Sequence, residues 1–304
     1  MAGRRLRRNS VVLMFMVFIA TIFLPQSLFA VAQPGHLLIG LIPEMNIFKQ
    51  KQRFHLLGEY LSRKTGVPVQ FTVLTRYGNI IESFTTEKMD GAFFGSFTGA
   101  LAIRKLGVVP LARPVNLDGS STYHGLLLVR KDSGITSAAT MRGKRMAFVD
   151  KATTAGYLFP LAYLVAQGEK GGAALFREAF FTGSHDAAIA AVLDGKADVA
   201  AAKHSVFDRV AKENPRVMAE LKIIAESPVV PSNGLCVRPD LSAAFQEKLK
   251  QALLGLATDP AGKAVLAELG AQRFIETTSA DYRPVFEMAS QAGIDIDNYS
   301  YRNE

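Results

Sequence analysis

Three stretches of the chain share one arrangement: a short apolar run ends in small or hydroxylated residues where a helical pattern begins. They are residues 91–99 (GAFFGSFTG), 146–157 (MAFVDKATTAGY) and 180–186 (FFTGSHD). Small side chains at a helix start leave backbone N–H groups accessible, and the positive end of the helix dipole favours an anion there. Hydroxyls at Ser96, Thr153, Thr154 and Ser184 can each add a charge-assisted hydrogen bond of roughly 1.5–3 kcal/mol. Such a set suits a tetrahedral oxyanion. Any one of the three, taken alone, is better explained as an ordinary helix N-cap; three in one chain strengthen the case for a shared ligand.

Catalytic templates fit poorly. Ser96 stands one position too early in Gly95-Ser96-Phe97-Thr98-Gly99 for a nucleophile elbow, and there is no Walker loop, Rossmann glycine fingerprint or His-Glu-x-x-His. Five scattered histidines and one cysteine give no metal-ligand spacing. His185, between a strand and a helix, is placed to donate to an anion, whereas His55 reads as packing or surface. Cys236, inside an apolar run, reads as a small buried hydrophobe. The expectation is therefore a binding protein with no catalytic residue, no metal and no cofactor.

Elements able to position these residues follow from the periodicity. Short β-branched-rich runs predict strands at 37–42, 69–74, 92–94, 108–112, 125–129, 146–149, 180–182, 199–202, 222–225 and 235–237. Amphipathic stretches predict helices at 48–64, 79–87, 97–106, 157–167, 186–193, 241–258 and 260–269. The alternation implies an α/β fold with mostly parallel, helix-covered sheets. Two breaks in texture stand out, residues 116–123 (NLDGSSTY) and 227–234 (SPVVPSNG). About a hundred residues lie between them, so the chain is expected to leave a first lobe, build a second and return, with a ligand in the interlobe cleft.

The 304 residues are 49% hydrophobic and 20% charged, which excludes disorder, collagen and coiled coil. Net charge is +8, a value that would suit a polyanion. Yet Arg4, Arg5, Arg7 and Arg8 precede an uncharged run at 11–24 and the triplet Ala30-Val31-Ala32, the layout of a secretory signal peptide. The apolar run would span roughly 21 Å as a helix, short of the ~30 Å hydrocarbon core, so a permanent anchor is the weaker reading. Cleavage after Ala32 removes four of the 35 basic residues against 27 acidic ones and leaves +4. The rest are dispersed, with no aromatic-interleaved basic face, so nucleic acid is not an expected partner. No cysteine lies at the cleavage site to carry a lipid.

The stretches Ile39-Gly40-Leu41-Ile42-Pro43, Arg76-Tyr77-Gly78, Met89 to Gly95, Thr122-Tyr123-His124-Gly125, Lys131 to Ile135, Ala152-Thr153-Thr154-Ala155-Gly156-Tyr157 and Gly183 to Asp186 resemble the phosphate/phosphite/phosphonate-binding periplasmic proteins of ABC importers. The resemblance covers most of residues 37–240 in the family's order and spacing. It implies a two-lobed type II periplasmic binding protein that closes on a small phosphorus oxyanion and hands it to a membrane permease. The domains it suggests are 1–32 as signal peptide, 33–125 with 232–304 as lobe 1, and 126–231 as lobe 2. It further implies a periplasmic monomer. An alternative with the same ligand is a sensing partner of a membrane kinase.

Carried over by resemblance, the family's Ser-Thr-Ser helix start falls on Thr153, Thr154 and Ala155, so one hydroxyl is lost. The family's tyrosines fall on Tyr77 and Tyr123, and its next helix-start histidine on His185. Members that bind aminoalkyl phosphonates carry two acidic residues where this chain has Ser205 and Asn233, with Lys203 and His204 adjacent. An ammonium tail would lack its carboxylates and meet positive charge. The expected ligand is phosphate, phosphite or an alkyl or carboxylated phosphonate, held by these residues together with Ser96, Gly156 and Tyr157.

Overall fold

The computed structural model describes residues 35–43 and 47–302; the expected signal peptide lies outside them. The strands are β1 (Leu37–Leu41), β2 (Val69–Val73), β3 (Gly91–Phe94), β4 (Val109–Asn116), β5 (Thr122–Tyr123), β6 (Gly125–Arg130), β7 (Arg145–Phe148), β8 (Glu178–Phe181), β9 (Val199–Lys203), β10 (Leu221–Glu226), β11 (Val230–Pro231), β12 (Gly234–Val237) and β13 (Ala271–Glu276). They form a six-stranded sheet in the order β13-β4-β12-β3-β1-β2, a five-stranded sheet in the order β10-β6-β9-β7-β8, and a two-stranded ribbon of β5 and β11.

The α/β class and the mostly parallel strand directions both hold. In the first sheet β1, β2, β3 and β4 point one way and β12 and β13 the other; in the second β7, β8, β9 and β10 point one way and β6 the other. The reason is connectivity. A strand-helix-strand unit returns the chain parallel, whereas β6 and β12 each follow directly on the β5/β11 ribbon, where the chain crosses between sheets, and insert in the opposite sense.

Burial on both faces explains the continuous apolar strands. Along β6, Leu126 and Leu128 enter one core while Leu127 and Val129 enter another, the two-residue period of a pleated strand. The outer face of the first sheet is packed by Leu57, Leu61, Phe245, Leu249 and Leu266 from the helices Ile47–Thr65, Ala243–Leu254 and Pro260–Leu269. Ile189 and Val192 of the helix His185–Leu193 cover the second. A third core runs between the sheets and includes Phe94, Phe97, Phe148 and Phe159.

The two texture breaks of the sequence are the crossover itself. Tyr123 pairs with Val230 and Thr122 with Pro231. Beside them the Gly125 amide donates to Ser227 Oγ at 2.8 Å and the Ser232 amide to the Ser121 carbonyl at 3.0 Å. Among the described residues no helix is long and apolar enough to cross a membrane.

Candidate functional site

In sheets with parallel strands the side chains that follow the strand ends gather at one edge, where ligands usually bind. Here β1 is followed by Ile42, β3 by Gly95 and Ser96, β7 by a loop that includes Asp150–Thr154 and β8 by Thr182–His185, while β9 ends at Lys203. The antiparallel β12 brings in Asn233 just before its start. These ends, with the ribbon residue Tyr123, meet in one cavity lined by Ile42, Tyr77, Gly95, Ser96, Phe97, Thr98, Tyr123, Ala152, Thr153, Thr154, His185, Lys203 and Asn233. It is small, about 20 Å³.

Lys203 contributes a cation whose Nζ sits 4.5 Å from the Tyr123 ring centroid. Ser96 is 1% exposed; its Oγ lies 2.6 Å from the Tyr123 hydroxyl and 3.0 Å from the Pro231 carbonyl. Its single hydrogen serves one acceptor at a time. Donation to Pro231 leaves Tyr123 donating to Ser96, while donation to Tyr123 leaves the phenol its own hydrogen for a ligand. His185 Nδ1 accepts from the Lys203 amide at 3.2 Å, so the neutral imidazole carries its hydrogen on Nε2. Tyr77 meets the His185 ring edge-on at 6.5 Å.

The loop after β7 is tied by its own groups. Asp150 Oδ1 accepts from the Ala152 amide at 2.8 Å, and Thr153 Oγ1 donates to the Asp150 carbonyl at 2.6 Å. Thr153 therefore braces the loop, and its hydroxyl has no second hydrogen for an anion. Thr154 differs: it is 2% exposed, and its Oγ1 is buried with no hydrogen-bond partner within the protein. Residues Thr154–Leu158 form a π-wound turn leading straight into the helix Phe159–Ala166, a winding common at functional sites. The first amides of such a helix have no carbonyl one turn back to bond. Gly156 makes the turn possible, because a Cβ there would stand 2.4 Å from Val149 Cβ and 2.7 Å from Thr153 Oγ1.

Of the residues expected at the site, Tyr77, Ser96, Tyr123, Thr153, Thr154, His185, Lys203 and Asn233 share the cavity; Ala155, Gly156, Tyr157, His204 and Ser205 are not among its walls. Ala155 and Gly156 are buried within the π turn. Tyr157 packs on Phe148 and Phe181 at 5.0 and 5.7 Å, and burial raises its pKa. His204 stacks on His124 at 4.1 Å, with the His124 amide donating to its Nδ1. Ser205 is exposed in the first turn of the helix His204–Glu213. Ser184 is an N-cap, accepting from the Ala187 amide at 3.4 Å, as the plain reading of that motif has it. The sequence reading missed Ile42, Gly95, Phe97, Thr98 and Ala152 as walls. Ile42 directly follows β1, so the strand-end rule would have found it.

Two helix-covered α/β sheets joined by a crossover ribbon, with a polar cavity at their facing edges, define a type II periplasmic solute-binding protein. More narrowly, the chain belongs to the family described as ABC transporter, phosphonate, periplasmic substrate-binding protein, whose sequence model matches residues 39–282. It is 28% identical over 233 residues to the phosphonates-binding periplasmic protein of Escherichia coli (strain K12), covering 75% of this chain and 68% of that one. It is 27% identical over 289 residues to the probable ABC transporter phosphite binding protein PhnD1 of Prochlorococcus marinus (strain MIT 9301), covering 91% and 93%. The solved structure of PhnD1 in complex with methylphosphonate superposes with a TM-score of 0.72 at 25% identity, over 86% of this chain and 99% of that one. The family consists of periplasmic ligand-capturing components, not enzymes, that work with a membrane permease.

Proposed function

We propose that this chain captures a phosphorus oxyanion with a compact, uncharged fourth substituent, such as phosphite or methylphosphonate, and delivers it to its ABC importer without altering it. The observation that carries this reading is the buried, unpartnered Thr154 hydroxyl in a cavity that Lys203 also lines. The amides opening the helix behind Thr154 and the Nε2–H of His185 supply further donors. Ile42, Phe97 and Ala152 supply apolar wall against which a hydrogen or methyl substituent loses nothing. In phosphate an oxygen takes the place of that substituent, and a polar group set against apolar wall without a hydrogen-bond partner costs about 1–3 kcal/mol. An aminoalkyl tail would bring a second cation into the cavity beside Lys203.

Closure needs only that the ligand binds the closed form better than the open one. On this reading residues 1–32 are the export signal, residues 33–125 with 232–304 form one lobe, and residues 126–231 form the other. Calorimetric titration of residues 33–304 in phosphate-free buffer tests it, with phosphite, methylphosphonate, phosphate and aminoethylphosphonate as ligands. Methylphosphonate or phosphite should bind at least tenfold tighter than the other two. Tight binding of aminoethylphosphonate, or phosphate as the best ligand, would overturn it.

A further inference from the structure

The segment after the helix Arg283–Gln291 is not used by the site described above, yet it touches both sides of the cleft. On the first side, Arg104 Nε and Nη2 donate to the Asp297 carboxylate at 2.8 and 3.2 Å, and Lys105 Nζ donates to the Asp297 carbonyl at 2.7 Å. Both cations lie in the last turn of the helix Ser96–Leu106, whose first residue is the cavity's Ser96. A local turn holds Asp297 in place, its amide donating to Asp295 Oδ1 and Asn298 Nδ2 donating to Asp295 Oδ2. Two residues on, the Tyr299 ring packs on Phe97 at 5.3 Å. Its hydroxyl then reaches across and donates to the Lys151 carbonyl at 2.8 Å. Lys151 sits in the Asp150–Thr154 loop that carries the second side's hydroxyls.

We propose that the C-terminal segment 295–302 is a latch and Tyr299 its positioning residue: anchored on the helix that starts with Ser96, it holds the Asp150–Thr154 loop in its binding shape and slows ligand release. Tyr299 touches no cavity space itself; it acts through the backbone of Lys151. Burial, then the nearby Tyr157 and Asp150, push its phenol further from ionisation, so it remains a donor. The chain closes in behind it, since a Cβ on Gly78 would stand 2.8 Å from the Tyr301 carbonyl and 3.7 Å from Ala152 Cβ. Gly78 follows the cavity's Tyr77, and Ala152 is itself a wall, so the segment lies directly against the binding residues.

The effect on release rests on the ligand class proposed above; the effect on the loop does not. Tyr299→Phe removes one hydrogen bond and keeps the ring on Phe97. In the ligand-free protein, amide hydrogen exchange at Ala152, Thr153 and Thr154 should quicken roughly two- to tenfold, the equivalent of one ordinary hydrogen bond. The thermal midpoint should stay within a degree or two. Methylphosphonate, followed by stopped-flow tyrosine fluorescence, should dissociate faster by a similar factor while its association rate is unchanged. Asp297→Asn, which loosens the anchor, should act in the same direction more weakly. Unchanged exchange in the 150–154 loop overturns the proposal, as does an unchanged release rate in a variant that still binds methylphosphonate. If the unaltered protein binds neither methylphosphonate nor phosphite, the ligand reading fails, and the exchange comparison still decides the latch.

Discussion

Thr154→Val separates a binding hydroxyl from a structural one. The substitution keeps the branched shape and removes the single atom at stake, a hydroxyl oxygen that is buried and unpartnered within the protein. A hydrogen bond from a hydroxyl to a charged ligand contributes about 1.5–3 kcal/mol, so affinity for the best ligand should fall roughly 10- to 150-fold. Ligand-free stability should move the other way or not at all. An unmet buried hydroxyl costs on the order of 1 kcal/mol, and relieving that in a chain of this size raises the melting midpoint by roughly 2–4 °C. Calorimetric titration and a ligand-free melt on the same preparation give both numbers. Unchanged affinity would refute the assignment. So would a ligand-free protein destabilised by 1 kcal/mol or more, because that would mean Thr154 holds the loop as Thr153 does.

Other expectations concern the scaffold and the solution conditions. Gly156→Ala drives a Cβ to 2.4 Å from Val149 Cβ; overpacking of this kind costs about 1–3 kcal/mol, and with Thr153 displaced, binding should fall together with the melting midpoint. Cys236 is fully buried in β12, where burial pushes its thiol up to about 12; thiol reagents should label it only at the rate of unfolding, and rapid labelling of the native protein would show the strand to be open. His204 is held below its ordinary pKa of 6.5, first by burial and then by the adjacent His124, against weaker opposing effects of the His124 backbone and Asp208, with Lys203 adding to the lowering. The unfolded chain therefore binds this proton more readily, so the stability from neutral His204 is complete above about pH 6.5 and is lost as pH falls through the folded value. Urea midpoints at pH 7.5 and 5.5 should diverge less in His204→Gln than in the parent; an equal divergence would place the pH dependence elsewhere.

Ten strands and seven helices were legible because each is a run with a clear period. The π turn is the one substantial departure within them: the helix expected from Tyr157 begins at Thr154, since Gly156 allows a close approach to Val149 that no periodicity encodes. The elements missed include the amphipathic helix His204–Glu213 and the short helices Ala138–Met141 and Arg216–Glu220, besides several that no clear period marks. β5 and β11 are two residues each and exist only because the chain crosses there twice. β13 (AQRFIE) is an edge strand with polar residues interleaved, and the helix Arg283–Gln291 packs between two other helices that the sequence does not place side by side. Among site residues, Thr153 and Thr154 look alike in sequence. Only the geometry shows that one hydroxyl is committed to Asp150 and the other is not.

The same distinction bears on what net charge could have revealed. A surplus of +8 over the whole chain suits many anions, and dispersed surface lysines and arginines form pairs with neighbours that contribute little to any one site. Arg130, for example, is engaged by Asp132 and Glu220, and Arg145 by Asp198. On the proposed reading, a small oxyanion is selected by the placement of a few neutral donors at a helix start beside Lys203. Replacing Lys203 with Gln should accordingly weaken every phosphorus oxyanion by a similar factor. Thr154→Val, which acts on one oxygen's geometry, should instead change the ranking among them. If the lysine substitution reordered the ligands and the threonine substitution did not, selectivity would lie in charge rather than in the helix start.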